Sequence, residues 1–182
     1  MEKPKPMKKT ILLLIIIVSA AVFMLWNQKK TEESDAAVNN FEECAAQGYP
    51  ILETYPSQCK TPSGKTFIED IGNELEKQDL IRTTNPRPNE LIQSPLEIKG
   101  EARGYWFFEA SFPIKLVDEK GNELGMAIAQ AQSDWMTEDF VPFEAKLEFQ
   151  KPETKKGFLI LKKDNPSGLQ ENDDELRMPV RF

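Results

Sequence analysis

The sequence contains no histidine among its 182 residues. Histidine changes charge near neutral pH, serves as the base of Ser-His-Asp and Cys-His catalytic arrangements, and is a frequent zinc ligand. Its absence removes these kinds of site from consideration. A basic surplus is also missing, because 23 lysine and arginine residues stand against 30 aspartate and glutamate residues, a net charge of −7. A nucleic-acid surface needs the opposite sign, so we expect no nucleic-acid partner.

Charge is absent from one stretch, residues 10–26 (TILLLIIIVSAAVFMLW). As a helix rising about 1.5 Å per residue, this stretch would span about 25 Å, near the lower limit for a hydrocarbon core of ~30 Å. The lysines that flank it are Lys3, Lys5, Lys8 and Lys9 before, and Lys29 and Lys30 after. The positive-inside bias predicts a cytoplasmic tail at residues 1–9, a single-pass transmembrane helix in the cell membrane, and an extracytoplasmic remainder. Cleavage of a signal peptide near Ser19 is the alternative.

Cysteine is scarce, with only Cys44 and Cys59. Outside the cytoplasm such a pair forms a disulfide more often than a metal or redox site. After a polar tether at residues 27–34, residues 35–70 predict a small α+β module with a helix from Asp35 to Gln47. The module has too few large apolar residues for a self-sufficient core. On the loop-entropy model the predicted disulfide would stabilise it by about 3 kcal/mol.

The module also carries the pattern C-x3-GYP-x4-YP-x2-C-x4-GKTF, which begins at Cys44. This pattern resembles a small two-cysteine module found near the N-terminus of bacterial envelope proteins. It is also weakly similar to Kazal inhibitors, which makes protease inhibition through the segment from Tyr49 to Gln58 an alternative function. The Kazal family depends on several disulfides, whereas two cysteines allow a single one.

Residues 71–88 are polar and charged and end in Asn85-Pro86-Arg87-Pro88, so we predict a linker there, with one helical turn near Glu74 to Leu80. Residues 89–182 instead alternate apolar and polar side chains at the period of a β-strand. The candidate strands are Glu90 to Gln93, Leu96 to Ala102, Phe107 to Val117, Glu123 to Gln132, Pro142 to Gln150, Gly157 to Lys162 and Glu175 to Arg181. About seven short strands without a helical period predict an all-β fold, an antiparallel β-sandwich.

The alternation also predicts which side chains face the interior of the sandwich. We place Trp106 on the inward face of its strand. The predicted core is Leu96, Ile98, Phe108, Phe112, Ile114, Leu116, Phe143, Leu147, Phe149, Leu159 and Leu161. A core of this size is ample for one domain, because each buried large side chain contributes about 1.5–3 kcal/mol before entropy.

A family resemblance rests on the run N-P-x-P-N-E-L-I-x-S-P-L-x-I-x-G-E-A-R-G-Y-W-F-F-E-A-S-F-P-I-x-L-V-D, which begins at Asn85. The segments G-N-E-L, PFEAKLEF, GFLIL and ELRMPVRF follow in order. Together they resemble the immunoglobulin-like domain associated with bacterial spore-germination proteins. The resemblance implies an extracytoplasmic immunoglobulin-like sandwich over residues 85–182. It brings no catalytic residues, so we expect a binding or structural module of the cell envelope that is no enzyme and needs no cofactor or metal.

Candidate functional residues remain on the predicted surface. Tyr105 and Phe107 have the opposite parity to Trp106, and Trp135 lies in a polar loop, so these three predict an exposed aromatic patch for an extracytoplasmic protein or glycan. The alternative is that a loop or the N-terminal module covers the patch. The acidic clusters are Asp134, Glu138 and Asp139, and separately Glu171, Asp173, Asp174 and Glu175. Neither has the spacing of a calcium loop, so solvated loops are favoured over calcium sites. A carboxylate enzyme acting on cell-wall glycan is the remaining alternative.

Overall fold

The computed structural model describes residues 18–26 and 38–182. Residues 18–26 are helical, and within the described ranges no helix has the length and apolar character needed to cross a membrane. The predicted cytoplasmic tail, the first part of the predicted transmembrane helix and the tether lie outside these residues. The chain divides into two compact units, Met1–Asp70 and Ile71–Phe182.

The first unit is held together around the predicted disulfide. Its elements are α1 (Phe41–Ala46), β1 (Ile51–Leu52), β2 (Gln58–Lys60) and β3 (Thr66–Ile68), and the strands form an antiparallel sheet in the order β1-β2-β3. Cys44 on α1 is bonded to Cys59 on β2, and both are buried. The disulfide prediction is confirmed. The predicted helix is shorter than expected, because the Asn40 side chain caps it by accepting the Glu43 N–H at 2.8 Å.

The second unit is a β-sandwich. Its elements are α2 (Glu74–Lys77), β4 (Ile81–Asn85), β5 (Leu96–Arg103), a 3-10 turn (Gly104–Trp106), β6 (Ser111–Asp118), β7 (Glu123–Ala131), β8 (Phe140–Leu147), β9 (Lys156–Lys162), a second 3-10 turn (Gln170–Asn172) and β10 (Glu175–Arg181). The sheet order is β10-β9-β6-β7-β8-β5-β4, with every neighbouring pair antiparallel. β7 and β8 share only the pairs Gln130↔Glu144 and Ala131↔Phe143. The sheet folds over at this point into a four-stranded layer, β10-β9-β6-β7, and a three-stranded layer, β8-β5-β4.

Apolar side chains from both layers fill the space between them. Phe112 on β6 has its ring centre 4.9 Å from that of Phe143 on β8, and 5.2 Å from that of Phe107. The fully buried large side chains of the unit are Ile81, Ile98, Trp106, Phe112, Ile114, Leu116, Phe143, Leu147, Leu159, Leu161, Leu176 and Met178. Most of the predicted core residues are therefore in the core, but β4 and β10 contribute side chains that the prediction omitted.

The predicted linker is the first difference from the sequence analysis. Residues 71–88 belong to the compact second unit and supply β4, whose Ile81 and Thr83 are buried. The side chain of Asn73 ties the segment to β10, because it donates to the Glu175 carbonyl at 3.0 Å and accepts the Arg177 N–H at 2.8 Å. Only one large apolar residue marks β4 in the sequence, so the alternation was too weak to identify it.

The predicted strand from Glu90 to Gln93 is the second difference. This segment forms a single parallel bridge, Leu91↔Arg181, beside β10. The segment is held at that edge because the Ile92 N–H donates to the Arg181 carbonyl at 2.8 Å and the Arg181 N–H donates to the Glu90 carbonyl at 2.9 Å.

The third difference is the direction in which the side chains of Phe107 and Phe108 point. Phe107 is 4% exposed and Phe108 is 41% exposed, the reverse of the prediction. The 3-10 turn at Gly104–Trp106 breaks the two-residue period, and Glu109 and Ala110 then adopt positive φ angles of 49° and 61°. Alternation counted back from β6 therefore assigns Phe107 and Phe108 to the wrong faces, while Trp106 is buried as predicted.

We predict that Phe112→Ala lowers the free energy of unfolding by about 3–5 kcal/mol, because it leaves a cavity between the two layers. Urea denaturation of the full-length chain measures the change. Tyr105→Ala is the matched control, since Tyr105 is half exposed, and we expect it to change the stability by less than about 0.5 kcal/mol. Equal effects of the two substitutions would contradict the assigned core.

We predict that joint replacement of Cys44 and Cys59 by serine destabilises the first unit by about 2–5 kcal/mol and leaves the second unit intact. Residues 71–182 have a core that does not include the disulfide. Segment-resolved hydrogen exchange measures the outcome. The expected result is faster exchange in β1–β3 with unchanged protection in β5–β10, and a loss of protection in β5–β10 would show that the second unit depends on the disulfide.

Candidate binding surface

The predicted aromatic patch does not form as a surface of three rings. Tyr105 is exposed, but Phe107 is buried in the core and Trp135 packs partly buried against that core. The exposure of Phe107 was the wrong part of the prediction, for the reason given above. The other large surfaces of this domain are the two outer faces of the sandwich.

The outer face of the three-stranded layer is charged and its groups are paired. Lys99 Nζ lies 3.4 Å from Glu144 Oε1 across β5 and β8. The guanidinium groups of Arg82 and Arg103 lie 4.3 Å and 4.0 Å from the centre of the Phe140 ring. Stacked guanidinium groups shield an aromatic ring from water, so this face has the character of a solvated surface.

The outer face of the four-stranded layer is different, because large apolar side chains run across it. The strand register shows which residues point outward. Between β6 and β7, Pro113 pairs with Ile128 and Lys115 pairs with Met126. Between β6 and β9, Lys115 pairs with Ile160 and Val117 pairs with Phe158. We call these apolar side chains the apolar face: Pro113, Val117, Met126, Ile128, Phe158 and Ile160. Met126 and Ile128 are 52% and 49% exposed.

Two basic side chains cover one end of the apolar face. The Arg177 guanidinium lies 3.9 Å from the centre of the Phe158 ring, and Lys115 stands between Met126 and Ile160 with its Nζ 3.3 Å from Glu123 Oε2. Long basic side chains cover apolar neighbours with their methylene groups. The exposed part of the apolar face therefore lies on β7, the outermost strand of this layer.

An open groove of ≈ 590 Å³ lies beside the start of β7. The residues that line it are Ser94, Glu123, Leu124, Glu148, Phe149 and Gln150. Two carboxylates in one groove are what the enzyme alternative requires, but both side chains are exposed to water and Glu123 is paired with Lys115. Such carboxylates suit the binding of a cationic group better than proton transfer in a dry site.

Three carboxylates of the predicted acidic clusters have structural contacts. Asp134 Oδ1 accepts the Met136 N–H at 3.0 Å, Asp173 Oδ1 accepts a hydrogen bond from Asn165 Nδ2 at 2.7 Å, and Asp174 lies 2.6 Å from Lys77 Nζ. Within residues 18–26 and 38–182, no group of three or more cysteine, aspartate or glutamate side chains is placed to hold a metal ion.

Two carboxyl groups of the second unit have shifted pKa values, and both are structural. The pKa of Asp118 is lowered, chiefly because its Oδ2 accepts a hydrogen bond from the Asn122 side chain at 2.8 Å and its Oδ1 accepts the N–H groups of Lys120 and Asn122. Burial raises the pKa of Glu74, and the Arg87 guanidinium at 3.3 Å partly opposes the rise. Asp118 closes the β6–β7 hairpin, and Glu74 is a buried residue of α2, the helix that precedes β4.

The segment from Tyr49 to Gln58, considered above for protease inhibition, lies at the surface of the first unit. Ile51, Leu52 and Tyr55 are each about half exposed. Leu52 and Ile68 flank Gln58 on one face of the small sheet. Exposure alone does not make an inhibitor loop, and inhibition through this segment stays a prediction.

The comparison with protein families bears on the second unit. A family model described as the immunoglobulin-like domain of bacterial spore germination matches residues 80–169. The C-terminal half of this chain belongs to that family. The match begins just before β4 and extends past β9, so it includes the strand that the sequence analysis assigned to a linker. Comparison with curated proteins and with solved structures gives no match.

The immunoglobulin-like domain carries surface residues that the sequence analysis missed, Met126 and Ile128. A signal for them exists in β7, ELGMAIAQA, where the large apolar residues Leu124, Met126 and Ile128 alternate with glycine and alanine. The register pairs Ala129 with Phe112 and Ala127 with Ile114. Small residues beside buried large ones indicate that the alanines of β7 face the core, so Met126 and Ile128 face outward, whereas Leu124, next to the register shift, packs partly buried against the core.

We predict that Asp118→Asn lowers the stability of the immunoglobulin-like domain at neutral pH and reduces its sensitivity to acid. A carboxyl with a lowered pKa binds its proton less tightly in the folded state than in the unfolded state. Its contribution to stability is therefore present above the ordinary value of 3.8 and is lost as the pH falls through the folded value. Thermal unfolding across this range measures the effect.

The control for this prediction is Glu119→Gln, at the exposed neighbouring position. It removes the same charge without removing the hydrogen bonds that close the hairpin. An Asp118→Asn variant with the acid profile of the unmodified protein would show that the hairpin carboxylate does not contribute to acid sensitivity.

Proposed function

We propose that this chain is a membrane-anchored, extracytoplasmic bacterial protein whose immunoglobulin-like domain is a non-catalytic binding module. Its ligand is an extracytoplasmic protein, bound at the apolar face. One observation carries the proposal: the side chains of Met126 and Ile128 are about half exposed to water. The opposite face of the domain, in contrast, carries charged side chains that are ion-paired. Burying two such side chains on binding removes apolar area from water, which favours association.

The extracytoplasmic address is supported by two independent features. The uncharged run at residues 10–26 is preceded by more lysines than follow it. The Cys44–Cys59 disulfide suits an oxidising compartment outside the cytoplasm. The family description adds a link to spore germination, and on that basis we assign the domain a germination-related or other envelope role.

The chemistry of the apolar face favours a protein ligand over a glycan. Methionine is enriched and charge is depleted at the centres of protein interfaces, and Met126 and Ile128 fit that composition. Lys115 and Arg177 supply a polar rim on one side. The predicted patch that would have stacked on a sugar ring loses Phe107 to the core, which weakens the case for a glycan.

We predict that the double substitution Met126→Asp and Ile128→Asp abolishes binding of the envelope partner and leaves the domain folded. Both positions are half exposed, so charges there remain hydrated, while a partner would have to bury them at a cost. The measurement is chemical crosslinking of the full-length chain in intact cells, followed by identification of the crosslinked protein. The matched control is Lys99→Asp with Glu144→Lys, which reverses an ion pair on the opposite face.

Location is tested in the same cells by adding protease to spheroplasts. We expect a C-terminal tag to be digested while a cytoplasmic marker survives, and a protected tag would contradict the extracytoplasmic placement. Binding at the apolar face is contradicted if the crosslinked product persists in the Asp variant, or if the charged-face control loses the product equally.

A further inference from the structure

The edge of β7 that faces away from β6 is largely unpaired. β8 pairs with this edge only at Gln130 and Ala131. Beyond that point β8 continues below β7, on its inner side, because a Cβ atom at Gly125 would come within 2.8 Å of the Glu148 carbonyl oxygen. Within the described residues no strand pairs with the outer edge of β7 between Glu123 and Ala129.

The backbone groups on that edge belong to the same residues as the exposed side chains. The Ala131 N–H donates to the Ala110 carbonyl at 2.8 Å, so residue 131 directs its N–H towards β6. In an antiparallel ladder this direction alternates along the strand, and residues 126 to 130 pair with β6 without a register shift. Gln130, Ile128 and Met126 therefore direct their N–H and C=O groups away from β6, and Gln130 pairs with β8.

This edge also lacks the features that normally prevent strand addition. Exposed edges are usually protected by lysine, proline, a bulge or an inward-pointing charge. The sequence of β7 has no lysine or proline, and its one charged residue is Glu123 at the start. The register shift in the β6–β7 pairing lies near that same end, between Leu116 and Val117. Residues 125 to 129 present a regular, uncharged edge.

We infer that the protein partner of the proposed function binds by β-strand addition, as an extended segment that runs antiparallel to β7 and ends in a basic residue. Its backbone pairs with the outward N–H and C=O groups of Met126 and Ile128, and its side chains on the outer face extend the apolar face. Strand addition of this kind combines main-chain hydrogen bonds for affinity with side-chain contacts for specificity. The inference rests on the proposed function, because it assumes that this face takes a protein ligand.

Charge complementarity identifies the end of the segment. The groove beside the start of β7 contains Glu123 and Glu148, both exposed. A strand antiparallel to β7 would place its C-terminal end over this groove, where a lysine or arginine meets the Glu148 carboxylate beside the ion pair of Glu123 with Lys115. A second copy of this chain does not supply that charge, because β7 contains no basic residue and an antiparallel β7 would place its alanine-rich end there.

The probe for this inference is a short capped peptide of alternating valine and threonine that ends in lysine. Its control is the same peptide ending in glutamate. Hydrogen exchange of the full-length chain, resolved to the β7 segment, reports whether the peptide protects the amides of Met126 and Ile128. We expect the lysine peptide to slow exchange there, and the glutamate peptide to bind about tenfold more weakly.

Two variants test the contacts separately. Met126→Pro removes an outward N–H that β6 does not use, whereas Met126→Thr removes the same apolar side chain and keeps the N–H. Strand addition requires Met126→Pro to weaken lysine-peptide binding about tenfold more than Met126→Thr does. Glu148→Gln should reduce the preference for lysine over glutamate, and Glu144→Gln, on the charged face, should not. If Met126→Pro disturbs the fold, Ile128→Pro and Ile128→Thr provide the same comparison.

The inference is overturned if neither peptide slows exchange in β7, or if the proline and threonine variants bind the peptide equally. Either result would leave the proposed function standing, provided that the Asp variants described above still lose the crosslinked partner. Retention of that partner by the Asp variants would instead remove the proposed function. The two experiments therefore separate failure of the binding mode from failure of the binding surface.

Discussion

The contact between Phe112 and Phe143 is the constraint on which the second unit depends. The two rings lie 4.9 Å apart between the layers, and each requires a small neighbour on the adjacent strand. Gly100 pairs with Phe143, and a Cβ there would lie 2.7 Å from the ring. Ala129 pairs with Phe112. Because β7 contributes only small side chains to the interior beside these rings, its large side chains, Met126 and Ile128, are turned to the outside.

The same sandwich covers the edges of its sheet unequally, and this difference is the reason for proposing β7 as the edge that pairs with a partner. β10 is bordered by the segment around Leu91, which forms backbone hydrogen bonds with it. β4 is short, is followed by Pro86, and its Thr83 carbonyl accepts a hydrogen bond from Arg87 Nη1 at 2.9 Å. Natural sheets use short strands, proline and covering loops in this way to prevent pairing with other chains. β7 has none of these over most of its length.

The fold class and most strands could be predicted because apolar and polar side chains alternate strongly along these strands. The predicted bounds of β5, β9 and β10 agree with the structure to within a residue or two. The predicted disulfide is confirmed, and its partners followed from there being two cysteines, Cys44 and Cys59. The prediction failed where the inward residues of a strand are small or polar. β4 has a threonine at an inward position, so a pattern of alternating large apolar residues does not reveal this strand. β7 has alanines at its inward positions, so the same pattern assigns its large residues to the wrong face. The proposed binding surface depends on β7, so it could not be predicted without the register of β7 against β6.

The shifted pKa values of two carboxyl groups in the second unit have local structural causes. Asp118 accepts hydrogen bonds within the turn that joins β6 to β7, which lowers its pKa. Glu74 is buried on α2 beside Arg87, and burial raises its pKa. The exposed carboxylates Glu123 and Glu148 lie instead at the open end of β7. Water-exposed charge beside an unpaired apolar strand edge is the combination on which the proposed strand addition rests.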